Sequence, residues 1–486
     1  MQEAKEQAVV IGAGVAGLAA AAELARHGVP VRVLEAGAHA GGCCGTTDLG
    51  GFRFNDGAQY IMLPQLVRMV LEHLEIDPAC VPLHRARTPL HTELGDGTRV
   101  RLHPDQRVEV LAGRVDAGRA QADLERMFAR WQPLLTSLSG DDWLLKPIRP
   151  LDAAHRLAPH ASRFARSLQA ELEALFSDRA FRAVMAGHLL FAGAPARRFP
   201  APSILALVSV LADGLFVPEG GMSRLPEVLA ETVRTQGGTI DFGARVRAIQ
   251  RRPGGGFFVH AGAGEPIGCR AVVSTASPYT TLGRLMAEAR LPYGWRRRLA
   301  RPRHSMKVLS VQLGLRNEVG TLSHLNHCLP APDSMESYFS PPPGVVEWVY
   351  ASVPSMVAPG LAPAGGSVVE LYPAIPQAEP AAAWTAARRE LLAEAAIEWL
   401  RAREPIEVVA RRVRAPRDFE ESLGLPEGGI YGVDPAAGIP ALFPQRTPIQ
   451  GLYLAGQSCF PGFGVPMAAI SGLRAAALVE QDLGRR

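Results

Sequence analysis

At 486 residues, with 47% hydrophobic and 20% charged side chains of both signs, the chain has a soluble globular composition and length for roughly two to four domains. The net charge of +4 is small for this length. Neither zinc-finger spacing nor a basic stripe with interleaved aromatics is present, so no nucleic-acid partner is expected. The six cysteines (Cys43, Cys44, Cys80, Cys269, Cys328 and Cys459) form no disulfide framework and no metal-ligand spacing, which suits a reducing cytoplasm. The lack of a CxxC pair argues against a dithiol reductase.

Residues 8–35 carry the strongest local signal. Ala8 to Ile11 reads as a buried parallel strand, Gly12, Gly14 and Gly17 follow in GxGxxG spacing, and Leu18 to His27 forms an Ala-rich helix. Gly28 ends that helix, and Val31 to Leu34 is the next strand, closing on Glu35. In such a unit Gly12 permits the tight turn, Gly14 lets the backbone approach a pyrophosphate, and Gly17 lets helix and strand pack closely. The helix N-terminus, Ala16 included, offers unpaired N–H groups and a positive dipole to phosphates. Glu35, 23 residues after Gly12, stands where a carboxylate grips ribose hydroxyls. No signal peptide is expected, because the first apolar run leads straight into the glycine turn.

Past Glu35 come the pair Gly41-Gly42 and then the stretch Gly51-Phe52-Arg53-Phe54-Asn55-Asp56-Gly57-Ala58. This arrangement resembles the extended FAD motif of the amine oxidase and phytoene desaturase superfamily. Two departures stand out. Cys43 occupies the position of the family's arginine, and Asn55 that of its aspartate, with Asp56 next to it. By the same resemblance Gln59 and Tyr60 fall near the flavin ring. Residues 216–226 (FVPEGGMSRLP) match the segment that re-enters the FAD domain, which brings Val246 to the adenine. A helix from Leu225 to Val233 and strands Gly243–Ile249, Phe257–His260 and Cys269–Thr275 are expected there. Gly262-x-Gly264 falls in a hairpin turn, so no second nucleotide site is expected.

Residues 452–474 (LYLAGQSCFPGFGVPMAAISGLR) read as strand, glycine/proline loop and helix, with Pro466 in the first turn. They resemble the C-terminal flavin motif of phytoene desaturases and carotenoid isomerases, with Gln457 standing for the usual acid after Gly456. Gly464, Val465 and Pro466 would present a helix N-terminus to the flavin, and Phe460 and Phe463 would lie near its ring. The uncharged run Phe199–Ala212 is too short to span a bilayer, and the Thr447–Leu473 run is broken by Gly and Pro.

The resemblance implies an α/β fold: a Rossmann-like FAD-binding domain in three discontinuous segments (1–75, 214–280 and 428–486) with an inserted α+β substrate domain (76–213 and 281–427). The first insertion reads as helical at Leu124–Trp131, Ala161–Phe176 and Phe181–Leu190; the second holds a strand at Val308–Leu315. The implied activity is FAD-dependent oxidation, foremost desaturation of a lipophilic isoprenoid or polyene, with oxygen or a quinone as electron acceptor. Amine oxidation, and isomerisation or saturation by reduced flavin, remain alternatives. No catalytic acid–base pair is legible. The flavin-face candidates are Gln59, Tyr60, His188, Lys307 and Phe460, with Lys307 the residue on which the amine reading turns. A basic cluster (Arg296, Arg297, Arg298, Arg301, Arg303 and Lys307) is a candidate for peripheral contact with anionic lipid, on an otherwise cytoplasmic protein.

Overall fold

The computed structural model describes residues 7–139, 144–145, 155, 157–189, 193–329, 338–342, 344, 346 and 348–484. The chain opens with β1 (Ala8–Ile11), α1 (Val15–Arg26), β2 (Val31–Leu34), the hairpin β3 (Thr46–Leu49) and β4 (Phe52–Asn55), and α2 (Pro64–His73). Next come β5 (Leu83–Arg85), the meander β6 (Leu90–Leu94), β7 (Arg99–Leu102) and β8 (Val108–Ala112), and then α3 (Ala117–Ser139), α4 (Leu168–Leu175), α5 (Arg179–Gly187) and α6 (Leu205–Ala212). It continues through β9 (Phe216–Pro218), α7 (Arg224–Thr235), β10 (Thr239–Asp241), β11 (Val246–Arg251), β12 (Phe257–Ala261), β13 (Ile267–Cys269) and β14 (Ala271–Ser274). The last stretch holds α8 (Tyr293–Leu299), β15 (Ser310–Leu315), β16 (Leu325–Leu329), β17 (Val349–Ser352), β18 (Ser367–Pro373), α9 (Ala386–Arg401), β19 (Val408–Arg414), α10 (Pro416–Leu423), β20 (Leu452–Leu454) and α11 (Val465–Asp482).

β1 is apolar and buried at every position, the pattern of a strand covered on both faces. It pairs in parallel with β2 and β14, Val10 opposite Val33 and Val273, inside a sheet of order β10-β2-β1-β14-β20. Helix α1 lies against this sheet, buried from Val15 to Ala25, with α11 packed across it. Its small residues set how near the two helices come. A Cβ on Gly17 would stand 1.9 Å from the carbonyl oxygen of Gly12, and one on Gly472 would stand 2.0 Å from that of Ala16.

An eight-stranded mixed sheet, β19-β15-β18-β17-β16-β6-β7-β8, forms the second layer; β16 and β6 pair in parallel, its other pairs being antiparallel. Alternation along its strands gives it two unlike faces. Val311 and Leu313 of β15, Val349 and Ala351 of β17 and Val369 and Leu371 of β18 pack on α9 through Ala393, Ala396, Ile397 and Leu400. The opposite face carries Ser310, Gln312, Tyr350, Ser352, Glu370 and Tyr372. Gly314 lies on that face too, and a Cβ there would meet the Phe52 ring at 2.5 Å, so β4 is seated directly on the sheet.

Several elements differ from the sequence expectation. Thr239–Asp241, read as no element, is the edge strand of the parallel sheet. The strand expected at Cys269–Thr275 is two, parted at Arg270: β13 stays in a small antiparallel sheet with β11 and β12, and β14 joins β1. The expected helix Ala161–Phe176 is a 3-10 turn followed by α4, because Ser167 caps α4 by accepting from Ala170 N–H at 3.2 Å. The first insertion opens on strands β5–β8 before its helices begin. Of the helix expected to reach Leu190, that residue lies outside those described. No helix among the described residues is long and apolar enough to cross a membrane.

The helix contact yields a test. Gly472→Ala should cost about 3 kcal/mol, the upper end for overpacking, since the atom it meets is backbone and cannot swing aside. Gly283→Ala, where a Cβ would meet nothing within 4 Å, should leave thermal stability unchanged. Equal Tm values for the two variants would contradict the packing described.

Candidate active site

A cavity of about 1370 Å³ runs between the two sheets. It exceeds the roughly 300–1,000 Å³ of a pocket for one small molecule, so it has room for a cofactor and a substrate together. At one end the βα turn after β1 forms its floor. Gly12 has φ +100° and donates to Leu34 O at 2.8 Å; Thr275 Oγ1 donates to Ile11 O at 2.8 Å, and any Cβ on Gly12 would strike that hydroxyl oxygen at 2.3 Å. Glu35 is held by two backbone donors, Ala13 N–H to Oε2 at 2.6 Å and Gly37 N–H to Oε1 at 2.7 Å. That fixes a carboxylate at the cavity wall beside the first turn of α1. The N-terminus of α11, at Gly464, Val465 and Pro466, opens on the same cavity, so two positive helix ends face one space.

The loop after β2 is clamped to the one after β4. Ala58 N–H donates to Cys43 O at 2.7 Å and Asp56 N–H to Gly45 O at 2.8 Å. Asn55 Oδ1 accepts from Met222 N–H at 3.1 Å and from Thr46 Oγ1 at 3.2 Å, which ties the hairpin to the segment before α7. Asp56 Oδ1 accepts from Thr47 Oγ1 at 2.9 Å and Arg412 Nη1 at 2.6 Å, while Arg414 donates to its backbone carbonyl. Asn55 and Asp56 therefore pin this loop in two directions, one toward α7 and one toward β19. Burial pushes the Cys43 thiol up to about 11, so it stays neutral and offers a phosphate no charge.

The facing wall is the polar side of the mixed sheet. Gln59 Nε2 donates to Glu370 and, at 2.8 Å, to Tyr372 OH; Tyr372 OH and Gln312 Nε2 donate to Glu370 at 2.9 and 3.0 Å. Burial raises the Glu370 carboxyl above its usual range against the pull of those three donors. Tyr60 OH reaches His324 O and Ser352 Oγ, both at 2.8 Å. Beyond this wall the cavity is apolar, lined by Leu63, Leu135, Leu205, Val210, Met306 and Val308 among others.

Gly12, Gly14, Ala16, Glu35, Gly41, Gly42, Cys43, Gly57, Ala58, Val246, Gly456, Gln457, Gly464, Val465 and Pro466 all line the cavity, as do Gln59, Tyr60, His188, Phe460 and Phe463. Gly17 does not; it sits beneath, where α1 crosses the βα turn. Lys307 must be corrected. Its neighbours Met306 and Val308 line the cavity, but Lys307 turns the other way, 7% exposed, donating to Glu379 O and lying 3.7 Å from Glu427 Oε2. It is neither a flavin-face residue nor a surface charge. The basic cluster is reduced with it, since Arg298 lies against the Phe443 ring at 3.9 Å and donates to Ala441 O. Sequence reasoning missed Thr275, Tyr350, Tyr372 and His327; Val-Tyr-Ala-Ser at 349–352 carries the period-two signal that marks Tyr350 as facing the cavity.

These residues fit FAD: a carboxylate fixed beside the first turn of α1, glycines that allow close backbone approach, two helix N-termini, and a chamber of a volume that admits a dinucleotide. Comparison with known proteins agrees. The family model for flavin-containing amine oxidoreductases matches residues 15–480. A phytoene dehydrogenase of Streptomyces griseus is 28% identical, covering 97% of this chain and 94% of its own, and a chloroplastic prolycopene isomerase of Daucus carota is 25% identical, covering 98% and 80%. Putrescine oxidase, solved with putrescine bound, superposes with a TM-score of 0.63 at 17% identity, over 98% of this chain and 99% of its own; at that identity the likeness speaks to the fold alone. The chain belongs to the flavin-containing amine oxidoreductase family and is an FAD-dependent oxidoreductase.

Proposed function

We propose that this enzyme desaturates an acyclic isoprenoid polyene. The observation that carries the reading is the cavity itself, which runs from the dinucleotide cradle to the helices of the first insertion, where Leu135, Leu138, Leu205, Ala206 and Val210 line it. The names of the relatives, a phytoene dehydrogenase and prolycopene isomerases, point the same way. In this reading residues 1–75, 214–280 and 428–486 hold the cofactor, and 76–213 and 281–427 enclose the substrate. When bound, FAD supplies the acceptor for a hydride equivalent, and oxygen or a quinone reoxidises it. The protein's part is to align one C–H bond and exclude water. Gln59 and Tyr372, both tied to Glu370, hold the polar edge of the chamber in one orientation, and Phe460 and Phe463 line the same chamber. Tyr431 stacks on Phe463 with ring centroids 4.5 Å apart. Hydride loss from an allylic carbon needs only a weak acceptor for the proton lost from the neighbouring carbon, so this chemistry does not require a dedicated acid–base pair.

The chamber also has an opening for its substrate. Ile439 is 67% exposed and lines the cavity, so the cavity reaches the surface there. The turn it belongs to packs on α8 through Arg298 and Ala441. That helix and the residues after it carry Tyr293, 71% exposed, and the exposed Arg296, Arg297, Arg301 and Arg303. This surface would rest on anionic lipid and draw the polyene from the bilayer.

Three outcomes are expected. Mixed anaerobically with an acyclic polyene, the holoenzyme should lose its oxidised-flavin absorbance, and a panel of amines should leave it intact; bleaching by amines alone would replace this reading with amine oxidation. Lys307→Met should lower stability by about 1–3 kcal/mol, the cost of stripping partners from a buried donor site, without changing which of the two substrate classes bleaches the flavin. The charge-reversed pair Arg296→Glu and Arg297→Glu should weaken co-sedimentation with phosphatidylserine vesicles tenfold or more, taking about 1 kcal/mol per basic residue; unchanged sedimentation would remove the membrane surface from the proposal.

A further inference from the structure

The amide of Gln59 is held on one side and open on the other. Its Nε2 donates to Glu370 and, at 2.8 Å, to Tyr372 OH, and Tyr372 OH donates in turn to Glu370 at 2.9 Å, so the three groups close a triangle. Glu370 is fully buried and takes a third donor, Gln312 Nε2, at 3.0 Å. A carboxyl group that accepts three hydrogen bonds presents lone pairs to its neighbours, so the end of the Gln59 amide that faces it has to be the NH2. With the nitrogen on the wall, the carbonyl oxygen Oε1 is turned away from it and meets no donor among the described residues. Gln59 is half-buried and lines the cavity.

Gln59 also stands where the two halves of the chamber meet. Its neighbour Ala58 is tied to the cradle through Cys43 O at 2.7 Å, and its own amide is tied to β18 of the facing wall. Two residues on, Ile61 exchanges backbone hydrogen bonds with Phe216 at 2.7 and 3.0 Å, which holds the loop from its other end. A ring that belongs to the dinucleotide and takes hydride from the substrate has its place at this junction. Reduction of a flavin by hydride adds two electrons and one proton, and turns the lone pair of N5 into an N–H. An oxygen acceptor on the chamber wall disfavours a facing lone pair and accepts from a facing N–H.

We infer that Gln59 is a hydrogen-bond acceptor for the reduced flavin, and that Glu370 is the positioning residue that keeps the Gln59 carbonyl oxygen toward the ring. A bond made in the reduced state alone raises the midpoint potential of bound FAD, and so favours removal of hydride from a C–H bond. The positive N-terminus of α11, which opens on the same cavity, acts in the same direction on the negative charge that reduction adds. The bond needs FAD and no particular substrate, so it is independent of the polyene reading.

The test is the midpoint potential of the holoenzyme, measured anaerobically against a reference dye with no substrate present. Gln59→Leu removes the acceptor and should shift the reduction equilibrium about tenfold toward the oxidised form, the worth of one hydrogen bond, which is a fall of about 30 mV for two electrons. Glu370→Gln should lower the potential at least as far, because its new amide can donate to Gln59 Oε1 and let that side chain turn its NH2 to the ring. Loss of a nearby carboxylate charge alone would raise the potential, so a rise or no change in Glu370→Gln overturns the positioning role. An unchanged potential in Gln59→Leu overturns the acceptor. Wild type gives a check that needs no variant to fold. With glutamine side chains labelled by carbon-13, the reduced-minus-oxidised infrared spectrum should show an amide carbonyl band moving to lower frequency, and absence of any such band overturns the inference. Potentials as expected with no bleaching by a polyene would leave Gln59 in its role and overturn desaturation; bleaching by a polyene with equal potentials in all three proteins would do the reverse.

Discussion

Everything at the cofactor end depends on how closely α1 approaches its neighbours. Its axis is brought onto the βα turn by Gly17 and under α11 by Gly472, with clearances of 1.9 and 2.0 Å from a backbone oxygen to where a Cβ would be. A larger residue at either point would lift the helix and withdraw its first N–H groups from the cavity. The same approach sets Ala13, at the helix entry, where its N–H fixes Glu35. Packing density at two glycines is thus converted into the position of a carboxylate and two helix ends. This explains why α1 is so poor in large side chains: with sheet on one side and helix on the other, alanine fills the space available.

The second constraint is the division of the mixed sheet into an apolar and a polar face. One face is sealed by α9 through aliphatic side chains, which alone would make a stable layer. The other bears Gln312, Glu370 and Tyr372, groups that are costly to bury and are retained by mutual hydrogen bonds. Glu370 shows the balance: three donors converge on it, and burial still pushes its carboxyl upward. Holding Gln59 and Tyr372 through one carboxyl group ties a loop of the cofactor end to a strand of the substrate wall. The two halves of the cavity are therefore registered by hydrogen bonds and not only by packing.

How much of this was legible beforehand follows from where each signal resides. The cofactor end depends on short contiguous motifs, Gly12 to Gly17 and Gly456 to Pro466, whose glycines answer to a backbone geometry set within a few residues. Such signals survive in a single sequence. The substrate wall depends on partners far apart in the chain: Gln59 with Glu370, Thr92 with His188 and His327. Nothing local marks those pairings, and Lys307 shows the cost of reading one residue without its surroundings, since its ammonium lies with Glu379 O and Glu427 while Met306 and Val308 line the cavity. β10 was missed for a different reason. Three residues, Thr-Ile-Asp, are too few for periodicity to speak, and their pairing with β2 is what makes them a strand.

The threading of the chain explains how one cradle can serve different substrates. β1, β2, β10, β14 and β20 return to one parallel sheet from residues 8 to 454, and between returns the chain makes two long excursions. Those excursions meet each other at β6 and β16, the parallel pair within the mixed sheet, where Leu90 to Leu94 lie beside Leu325 to Leu329. Side chains from both excursions meet across that seam: Thr92 and His188 come from the first, His327, Tyr350 and Tyr372 from the second. None of them touches Gly17, Gly472 or Glu35 in the contacts described above. The cradle at the parallel sheet is held by backbone contacts that tolerate little, and the facing wall by side chains on a sheet that tolerates much. The fold thereby separates the part of the site that must stay constant from the part free to change.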